Sequence, residues 1–263
     1  MITTKQKQAF NEDGYVVLPK LLDGDDLAQL DAMCDAALNG VLAPETPFQG
    51  WLPDHFYTFW EPGYKDRDEL PRRDRVRSLS YLCRHHSYFH GVVRHPNIVA
   101  ALQGLLEDGV MVRADTIFMK PAHHGMEAAL HQDTAFLPRT DPNTLVFWMA
   151  IDPATEENGC LHMIPGSHRT RLPHRDDPIQ GHVLDDKQVD MTRQKAVICE
   201  PGDAIVTDAG VAHRSYPNHS AHNRRAYTAS YAPASMRFLE PWRTNTIAEK
   251  TPPYLFETIL CAD

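Results

Sequence analysis

Residues 195–231 read KAVICEPGDAIVTDAGVAHRSYPNHSAHNRRAYTASY, and this stretch decides the predicted fold. Its apolar and β-branched runs are short and are separated by Pro, Gly, Asn and Asp, a composition typical of strands joined by turns. Similar runs precede it, and the sequence predicts strands at Val110–Lys120, Thr144–Ile151, Cys160–Ile164, Lys195–Cys199, Ala204–Thr207, Gly210–Tyr216 and Arg224–Tyr231. Many short strands after a helical start predict a mainly β fold with flanking helices, either a β-sandwich or a jelly-roll barrel.

The residues before 110 have a different pattern. We predict helices from Thr3 or Thr4 to Phe10 (ended by Gly14), from the cap Asp23 to Leu38, and over Pro96–Leu106, with a strand at Tyr15–Pro19. The segment Pro44–Tyr64 is rich in aromatic side chains and prolines without a clean period, so it is predicted as a long loop that covers a binding site. We expect one domain over 1–263, composed of a helical part with this lid loop (1–109), a jelly-roll core (110–235) and a C-terminal tail (236–263).

Charge and composition exclude several classes of protein. The 26 Lys and Arg are outnumbered by 35 Asp and Glu, giving a net charge of −9, whereas a nucleic-acid binder normally presents a basic face. No run approaches the roughly 18 apolar residues that a membrane span needs. The 5 cysteines are scattered without CxxC spacing, which predicts reduced, mostly buried thiols and a cytoplasmic protein.

A metal site is indicated by His131-Gln132-Asp133. In an extended segment, residues i and i+2 project to one face, so His131 and Asp133 can bind one ion while Gln132 points away. His213 is the strongest candidate for a third ligand. Two histidines and one carboxylate form the ligand set of non-haem Fe(II) oxygenases. Such a short motif also arises by chance, and a surface His and Asp in a loop is the competing interpretation.

An anion site is indicated by Arg224. If residues 213–224 form a hairpin centred on Asn218-His219, Arg224 lies opposite His213 and points into the barrel, since opposed residues share a sheet face. A buried arginine needs an anion, and a dicarboxylate that also chelates the metal satisfies both groups. Ser215, on the same face as His213, would donate a second hydrogen bond. The competing interpretation is that Arg224 and Arg225 are both solvated.

These segments together resemble the phytanoyl-CoA dioxygenase family of Fe(II)- and 2-oxoglutarate-dependent oxygenases. The resemblance rests on Gly14–Val17, Phe118–Pro121, His131–Asp133, Glu157–Leu161, Pro165–His168, Pro201–Ala204 and the run from His213 through Asn218 to Arg224. It implies a double-stranded β-helix, the jelly-roll or cupin-like barrel. It also implies that His131, Asp133 and His213 ligate the iron.

The resemblance further implies that Arg224 and Ser215 bind the C5 carboxylate of 2-oxoglutarate, and that O₂ is the second cosubstrate. Family relatives that halogenate have a small residue in place of the carboxylate ligand, so the presence of Asp133 favours hydroxylation or another oxidation. Decarboxylation of 2-oxoglutarate would release succinate and CO₂.

Weaker candidates surround this set. Lys120 matches a family lysine and is predicted to contact 2-oxoglutarate or an anionic substrate group, with a solvated strand-end lysine as the alternative. Trp148, Phe136 and Thr134 are predicted substrate contacts, with packing as the alternative for Trp148. Other clusters are predicted to be solvated: His85-His86, His123-His124 and the arginines Arg72, Arg73, Arg75 and Arg77. His168 is predicted to stabilise a turn.

The predicted function is therefore oxidation of a C–H bond in a small metabolite, natural-product or amino-acid-derived, by a monomer or homodimer without nucleic-acid or membrane partners. An acyl-CoA hydroxylase is one alternative. A non-catalytic jelly-roll sensor of iron or 2-oxoglutarate is another. A protein hydroxylase is disfavoured by the predicted lid.

Overall fold

The secondary structure is known from a computed structural model that describes residues 2–45, 56–106, 108–136, 144–235 and 259–260. Its α-helices are α1 (Thr4–Asp13), α2 (Gly24–Leu38), α3 (Leu82–His85), α4 (Ser87–Val92) and α5 (Pro96–Leu106). Its strands are β1 (Tyr15–Leu18), β2 (Tyr57–Trp60), β3 (Val76–Ser80), β4 (Val110–Lys120), β5 (Ala128–His131), β6 (Leu145–Ala150), β7 (Leu161–Met163), β8 (Arg175–Asp177), β9 (Gly181–Val183), β10 (Lys195–Val197), β11 (Ala204–Asp208), β12 (His213–Ser215), β13 (Arg224–Pro233) and β14 (Ile259–Leu260). Each of the seven strands predicted after residue 110 is present.

Two antiparallel sheets form the framework. The large sheet has the order β1-β11-β6-β13-β4-β3-β2, with β14 also paired to β4, and the small sheet has the order β10-β7-β12-β5. Successive strands from β4 to β7, and again from β10 to β13, alternate between the small and the large sheet. This alternation is the strand connectivity of a jelly roll. The predicted mainly β class with flanking helices is confirmed.

The two faces of the large sheet have different partners. Along β13, Tyr227 and Tyr231 belong to an apolar core shared with the helices, which includes Phe89 and Leu102. The intervening Ala226 packs in a second core with apolar residues of the small sheet. Because neighbouring side chains on a strand alternate between faces, this sheet separates a helix layer from the interior of the barrel.

The N-terminal segment places β1 on the edge of the large sheet. Thr3 caps α1 in a capping box with Gln6, and Gly14 ends the helix in the left-handed conformation at φ +84°. Part of the predicted loop Pro44–Tyr64 is a strand instead, since Tyr57–Trp60 forms β2 and pairs with β3. Alternating aromatic residues fit a pleated sheet, which explains why composition alone was misleading there. Residues 46–55 of that segment lie outside the described part of the chain.

The predicted tight hairpin over residues 213–224 is wrong. β12 pairs with β5 and β7, whereas β13 pairs with β4 and β6, so residues 216–223 cross from the small to the large sheet. Asn218 is fully buried in this crossover, and its Nδ2 donates to the carbonyls of Lys120 and His222 at 2.9 and 2.8 Å. A side chain that serves as a hydrogen-bonding centre replaces the backbone turn that a hairpin would have used.

Several polar residues predicted to be solvated have structural contacts. Arg72 donates to the carbonyls of Ala37 and Leu38 at the end of α2. His85 is buried, and the ring of His124 stacks on Tyr64 with 4.1 Å between centroids. Four cysteines, all those within the described ranges, are buried and not disulfide-bonded: Cys34, Cys83, Cys160 and Cys199. Of the predicted C-terminal tail, residues 259–260 pair with β4 and 236–258 lie outside the described ranges. No described helix has both the length and the apolar composition needed to cross a membrane.

Candidate active site

Three potential metal ligands meet where β5 and β12 pair in the small sheet. His131 ends β5 and lies directly opposite His213, the first residue of β12. Asp133 follows in a short 3₁₀ turn, with the intervening Gln132 in an extended conformation. One ligand atom from each of the three residues lies within 4.8 Å of the others. His131 Nε2 is 3.4 Å from Asp133 Oδ1, and His213 Nε2 is 3.9 Å from Asp133 Oδ2.

Backbone carbonyls orient both imidazoles. Nδ1 of His131 lies 2.7 Å from the carbonyl oxygen of Ala129, and Nδ1 of His213 lies 2.9 Å from that of Val211. Each contact is a hydrogen bond if Nδ1 carries the proton, which leaves the Nε2 lone pair directed at the carboxylate of Asp133. Such a partner on the outer nitrogen fixes the tautomer and ring orientation of a metal-binding histidine. The geometry therefore presents two neutral nitrogen donors and one carboxylate from the same side.

Gln132 explains why this turn is rigid. Its side chain points away from the ligands and is fully buried. Nε2 donates to the carbonyls of Gly210 and Thr170 at 2.6 and 2.8 Å, while Oε1 accepts from the Leu172 amide at 2.9 Å. One residue thus joins the loop before β12 to the loop after β7. The relative positions of His131, Asp133 and His213 depend on this connection.

The protonation preferences of the three ligands are coupled. Burial lowers the pKa of His213, and the charge of His131 lowers it further. Burial of Asp133 favours its neutral form, but the charges of His213 and His131 outweigh this and lower its pKa. Burial also disfavours the His131 imidazolium, yet its hydrogen bond to Asp133 and the charge of that carboxylate prevail and raise its pKa. A metal ion would displace that proton, as is usual when histidine becomes a ligand.

Arg224 is a buried cation for which the described residues provide no ion pair. It is 3 % exposed, and its Nε and Nη1 have no hydrogen-bond partner among the described residues. Burial lowers its pKa to about 10. An unpaired buried guanidinium is costly, so its surroundings favour an anionic ligand.

Lys120 lies directly opposite Arg224 on the neighbouring strand β4. Its ammonium donates to the carbonyls of Met126, Tyr216 and Ser215 at 2.6, 2.7 and 3.4 Å. These three bonds use the three donors of an ammonium group. Lys120 therefore links the loop after β4 to the end of β12, and it lies beside Arg224 at one end of the barrel.

One cavity between the sheets, here called the central cavity, connects these groups. The predicted site residues that line it are His131, Asp133, His213, Arg224, Ser215, Lys120 and Trp148. The other lining residues are Glu61, Arg77, Phe118, Met119, Met126, Ala128, Val146, Leu161, Met163, Thr207 and Thr228. Thr134 and Phe136 do not line it, although the Phe136 ring meets His131 edge-on with 5.4 Å between centroids.

Glu61 and Arg77 line the cavity but are not among the site residues predicted from the sequence. Arg77 was assigned to a solvated basic cluster, and Glu61 lies in the segment predicted as a loop. Neither belongs to a motif that could have revealed it, because both enter the cavity through the pairing of β2 and β3, which the sequence did not predict.

The comparison with known families agrees with this geometry. The family model described as Phytanoyl-CoA dioxygenase (PhyH) matches residues 10–226. The chain belongs to this family. The resemblance deduced from the motifs is thus confirmed, and with it the enzyme class of Fe(II)- and 2-oxoglutarate-dependent dioxygenases.

Curated relatives carry the same family name. A phytanoyl-CoA dioxygenase domain-containing protein 1 homolog of Dictyostelium discoideum is 37% identical over 115 residues, which is 41% of this chain and 41% of that protein. Phytanoyl-CoA dioxygenase domain-containing protein 1 of Mus musculus is 27% identical over 261 residues, covering 86% of this chain and 89% of the mouse protein. The similarity therefore extends well beyond the motifs.

Solved structures confirm the jelly-roll fold. EctD from S. alaskensis with bound Fe superposes with a TM-score of 0.73 at 23% identity, over 91% of this chain and 80% of EctD. EctD with 2-oxoglutarate and 5-hydroxyectoine gives a TM-score of 0.72 at 22% identity, over 97% of this chain and 83% of that one. Iron and 2-oxoglutarate, the cofactors predicted from the sequence, are those that these neighbours hold.

Proposed function

We propose that this chain oxidises a C–H bond of a small metabolite, using Fe(II), 2-oxoglutarate and O₂ and releasing succinate and CO₂. The observation that carries the proposal is the co-location, in one cavity, of a two-histidine, one-carboxylate cluster and a buried arginine whose Nε and Nη1 have no hydrogen-bond acceptor in the described part of the chain. The first group matches the ligand set of non-haem Fe(II) oxygenases, and the second matches one end of a dicarboxylate.

Each residue has a definable task in this proposal. His131 and His213 supply Nε2, and Asp133 supplies a carboxylate oxygen, so the metal is held from one side with positions left open. Arg224 binds the distal carboxylate of 2-oxoglutarate, with the Ser215 hydroxyl as a second donor. Trp148 covers the guanidinium and keeps water from it. When bound, iron and 2-oxoglutarate supply the oxidising chemistry, while the protein orients the reactants.

Lys120 has a different task from the one predicted from sequence. Because its side-chain nitrogen already contacts three carbonyls, it positions β12 and does not bind 2-oxoglutarate directly. Phe136 packs edge-on against the His131 ring from outside the cavity. We also propose a cytosolic location, since buried free thiols suit a reducing compartment. The choice between monomer and homodimer stays a prediction.

The decisive experiment is anaerobic titration of the Fe(II)-loaded protein with 2-oxoglutarate, followed by the visible metal-to-ligand charge-transfer band. We expect one Fe(II) per chain and a band that saturates with 2-oxoglutarate. His131→Ala and His213→Ala should lose Fe(II), whereas His90→Ala, on the exposed side of α4, should retain both Fe(II) and the band. One bound Fe(II) without a band would contradict the proposal and favour a non-catalytic metal binder.

Turnover assays separate the remaining alternatives. Succinate release stimulated by small metabolites supports the proposal. Stimulation by acyl-CoA esters alone would favour the acyl-CoA hydroxylase. A saturable band with no stimulation by either class would favour a sensor of 2-oxoglutarate.

A further inference from the structure

Two charged side chains in the central cavity have no task in the proposed function. Glu61 directly follows β2 and is 2 % exposed, and Arg77 lies within β3. The large sheet ends in the order β13-β4-β3-β2, so both residues enter the cavity from the β2–β3 edge of this sheet. They line the same cavity as His131 and Asp133. A molecule bound beside the metal would therefore lie within reach of both charges.

Arg77 is held in place but has a free donor group. Its Nη2 donates to the carbonyl of Glu127 at 3.1 Å and to Oε1 of Gln180 at 3.2 Å. Nη1 is buried and has no hydrogen-bond partner among the described residues. A buried N–H without an acceptor costs free energy that a bound acceptor would recover. The two existing bonds orient the guanidinium before any ligand arrives, which lowers the entropic cost of binding.

Glu61 is a buried carboxylate with little compensation. Within the described part of the chain it accepts one long hydrogen bond, from the Met126 amide at 3.4 Å, and forms no ion pair with Arg77. Burial raises its pKa, although the charge of Arg77 partly opposes this. Buried carboxylates are normally stabilised by a nearby cation or by several donors. Arg77, Lys120 and His124 act on it only at a distance, so a ligand that brings a cation would add the direct ion pair that no described residue forms.

Apart from Thr207 and Thr228, the rest of the free lining is apolar. Beside these charges the cavity presents Met126, Val146, Leu161 and Met163. The Fe(II) ion and the 2-oxoglutarate dianion would neutralise each other, so an incoming substrate meets one positive and one negative side chain on an apolar wall. A polyphosphate such as coenzyme A would place several negative charges near Glu61, which is unfavourable.

We propose that Arg77 and Glu61 recognise the substrate, with Arg77 binding a carboxylate and Glu61 binding an ammonium group of a small zwitterion of amino-acid type with an apolar body. This inference rests on the proposed function, because it places the substrate beside the metal of that site. It assigns substrate selection to the β2–β3 edge of the large sheet and cosubstrate binding to β13.

The test uses the full chain loaded anaerobically with Fe(II) and 2-oxoglutarate. The probes are apolar L-amino acids, the matching monoamines and the matching monocarboxylic acids, each titrated while the charge-transfer band is monitored for the perturbation that substrate binding causes. We expect at least one amino acid to bind about 10-fold or more tightly than its amine or its acid, because a hydrogen bond to a charged group contributes about 1.5–3 kcal/mol.

The variants identify the two contacts separately. Arg77→Gln should abolish the advantage of the amino acid over the amine, and Glu61→Gln should abolish its advantage over the acid. Arg94→Gln and Glu12→Gln remove exposed charges of the same kinds and should change neither the advantage over the amine nor the advantage over the acid. Arg77→Lys, which keeps the charge, should retain part of the advantage, and thermal unfolding of each variant reports whether it is folded.

The outcomes distinguish this inference from the proposed function. A normal 2-oxoglutarate band in wild type and in Arg77→Gln, combined with equal binding of amino acids, amines and acids or with no binding of any probe, overturns the inference alone. It is also overturned if Arg77→Gln weakens 2-oxoglutarate binding as much as Arg224→Gln does, since Arg77 would then bind the cosubstrate. Absence of the band from the wild type would overturn the proposed function itself.

Discussion

The guanidinium carbon of Arg224 lies 5.7 Å from the centroid of the Trp148 ring, so an aromatic face covers a cation that lines the central cavity. The attraction between cation and ring offsets part of the cost of removing that cation from water. It does not satisfy the N–H groups, and Nε and Nη1 have no acceptor among the described residues. The missing acceptor is what the proposed 2-oxoglutarate carboxylate would provide.

Arg224→Gln should weaken 2-oxoglutarate binding by about 10- to 100-fold. The variant loses hydrogen bonds between charged groups, which contribute roughly 1.5–3 kcal/mol, and each 1.4 kcal/mol is a factor of about ten in affinity. Iron binding should persist, because the three proposed ligands lie on β5, on β12 and in the turn after β5. The measurement is the anaerobic 2-oxoglutarate titration of the charge-transfer band in the Fe(II)-loaded variant.

The neighbouring Arg225 provides the matched control. It points to the opposite face, where Nε and Nη2 donate to the Asp152 carboxylate at 2.9 and 2.7 Å and Nη1 lies 2.7 Å from Asp31. Arg225→Gln should therefore lower the free energy of unfolding and leave the affinity for 2-oxoglutarate unchanged. Equal losses of affinity in the two variants would contradict the assignment of Arg224 as the anchor.

Lys120 should make the stability of the metal-free protein rise with pH. Burial lowers its pKa to about 6, and the adjacent charges of Arg224 and Arg77 contribute to the decrease. Between this value and the ordinary lysine pKa of about 10.4, the unfolded chain binds more protons than the folded one. Burial of Lys120 therefore costs no stability above the unfolded pKa. As the pH falls from that value toward 6, the free energy of unfolding decreases.

Urea unfolding in the presence of a chelator tests this dependence. Between pH 7 and 9 we expect the wild-type free energy of unfolding to gain roughly 1–3 kcal/mol relative to Lys120→Met over the same interval, since one proton changes it by at most about 1.4 kcal/mol per pH unit. The difference between the two proteins removes the contributions of all other titrating groups to the pH dependence. Parallel pH dependences would show that the Lys120 ammonium stays charged in the fold.

Seven strands and the proximity of His131 to Asp133 could be predicted from the sequence because both depend on local patterns. Short apolar runs between turn residues located all seven strands from β4 to β13 that were predicted, and the extended backbone at Gln132 is what an i, i+2 ligand pair requires. Arg224 was predicted to be buried for a wrong reason, the assumed hairpin. It reaches the cavity because β13 lies between β4 and β6 in the large sheet and pairs with both.

Strand partners could not be read from the chain in the same way. His213 pairs with His131, which lies 82 positions earlier, and no local property of either residue specifies this. The pairing of β2 with β3 also brings Glu61 and Arg77 into the cavity. Their charges resemble those of any solvated loop in the sequence, and only the tertiary arrangement of the two strands makes them buried.

Gly159 should be far less tolerant of alanine than Gly63, although both have a positive φ. At φ +86°, a Cβ on Gly159 would lie 2.4 Å from the carbonyl oxygen of Tyr216 and 2.9 Å from Cδ of Lys120. At φ +82°, a Cβ on Gly63 would have nothing within 4 Å. Both variants incur the left-handed penalty of about 1–2 kcal/mol, and overpacking adds about 1–3 kcal/mol to Gly159→Ala alone.

Denaturant unfolding of the two glycine variants provides the comparison. We expect a larger loss of stability for Gly159→Ala, together with weaker 2-oxoglutarate binding, because the clash displaces the lysine that positions β12. Gly63→Ala should bind 2-oxoglutarate like the wild type. Equal stability losses would indicate that the loop at Gly159 relaxes without moving Lys120.

Asn218 should be the most sensitive position of the crossover that carries the chain from Ser215 to Arg224. Besides the two carbonyls that its Nδ2 binds, its Oδ1 accepts from the amide and the hydroxyl of Ser220 at 2.9 and 2.8 Å. Asn218→Ala leaves buried groups on both sides without partners and should cost about 2–4 kcal/mol in the free energy of unfolding. Asn218→Asp should be no more stable than Asn218→Ala, because a carboxylate oxygen would then face two carbonyls.

The control is Asn97→Ala, which removes one exposed hydrogen bond to the carbonyl of Leu21 and should cost less than about 1 kcal/mol. Since the crossover positions both proposed 2-oxoglutarate contacts, Asn218→Ala should also lower the affinity for 2-oxoglutarate in the anaerobic charge-transfer titration. Unchanged affinity in a destabilised variant would show that the strands alone position Arg224.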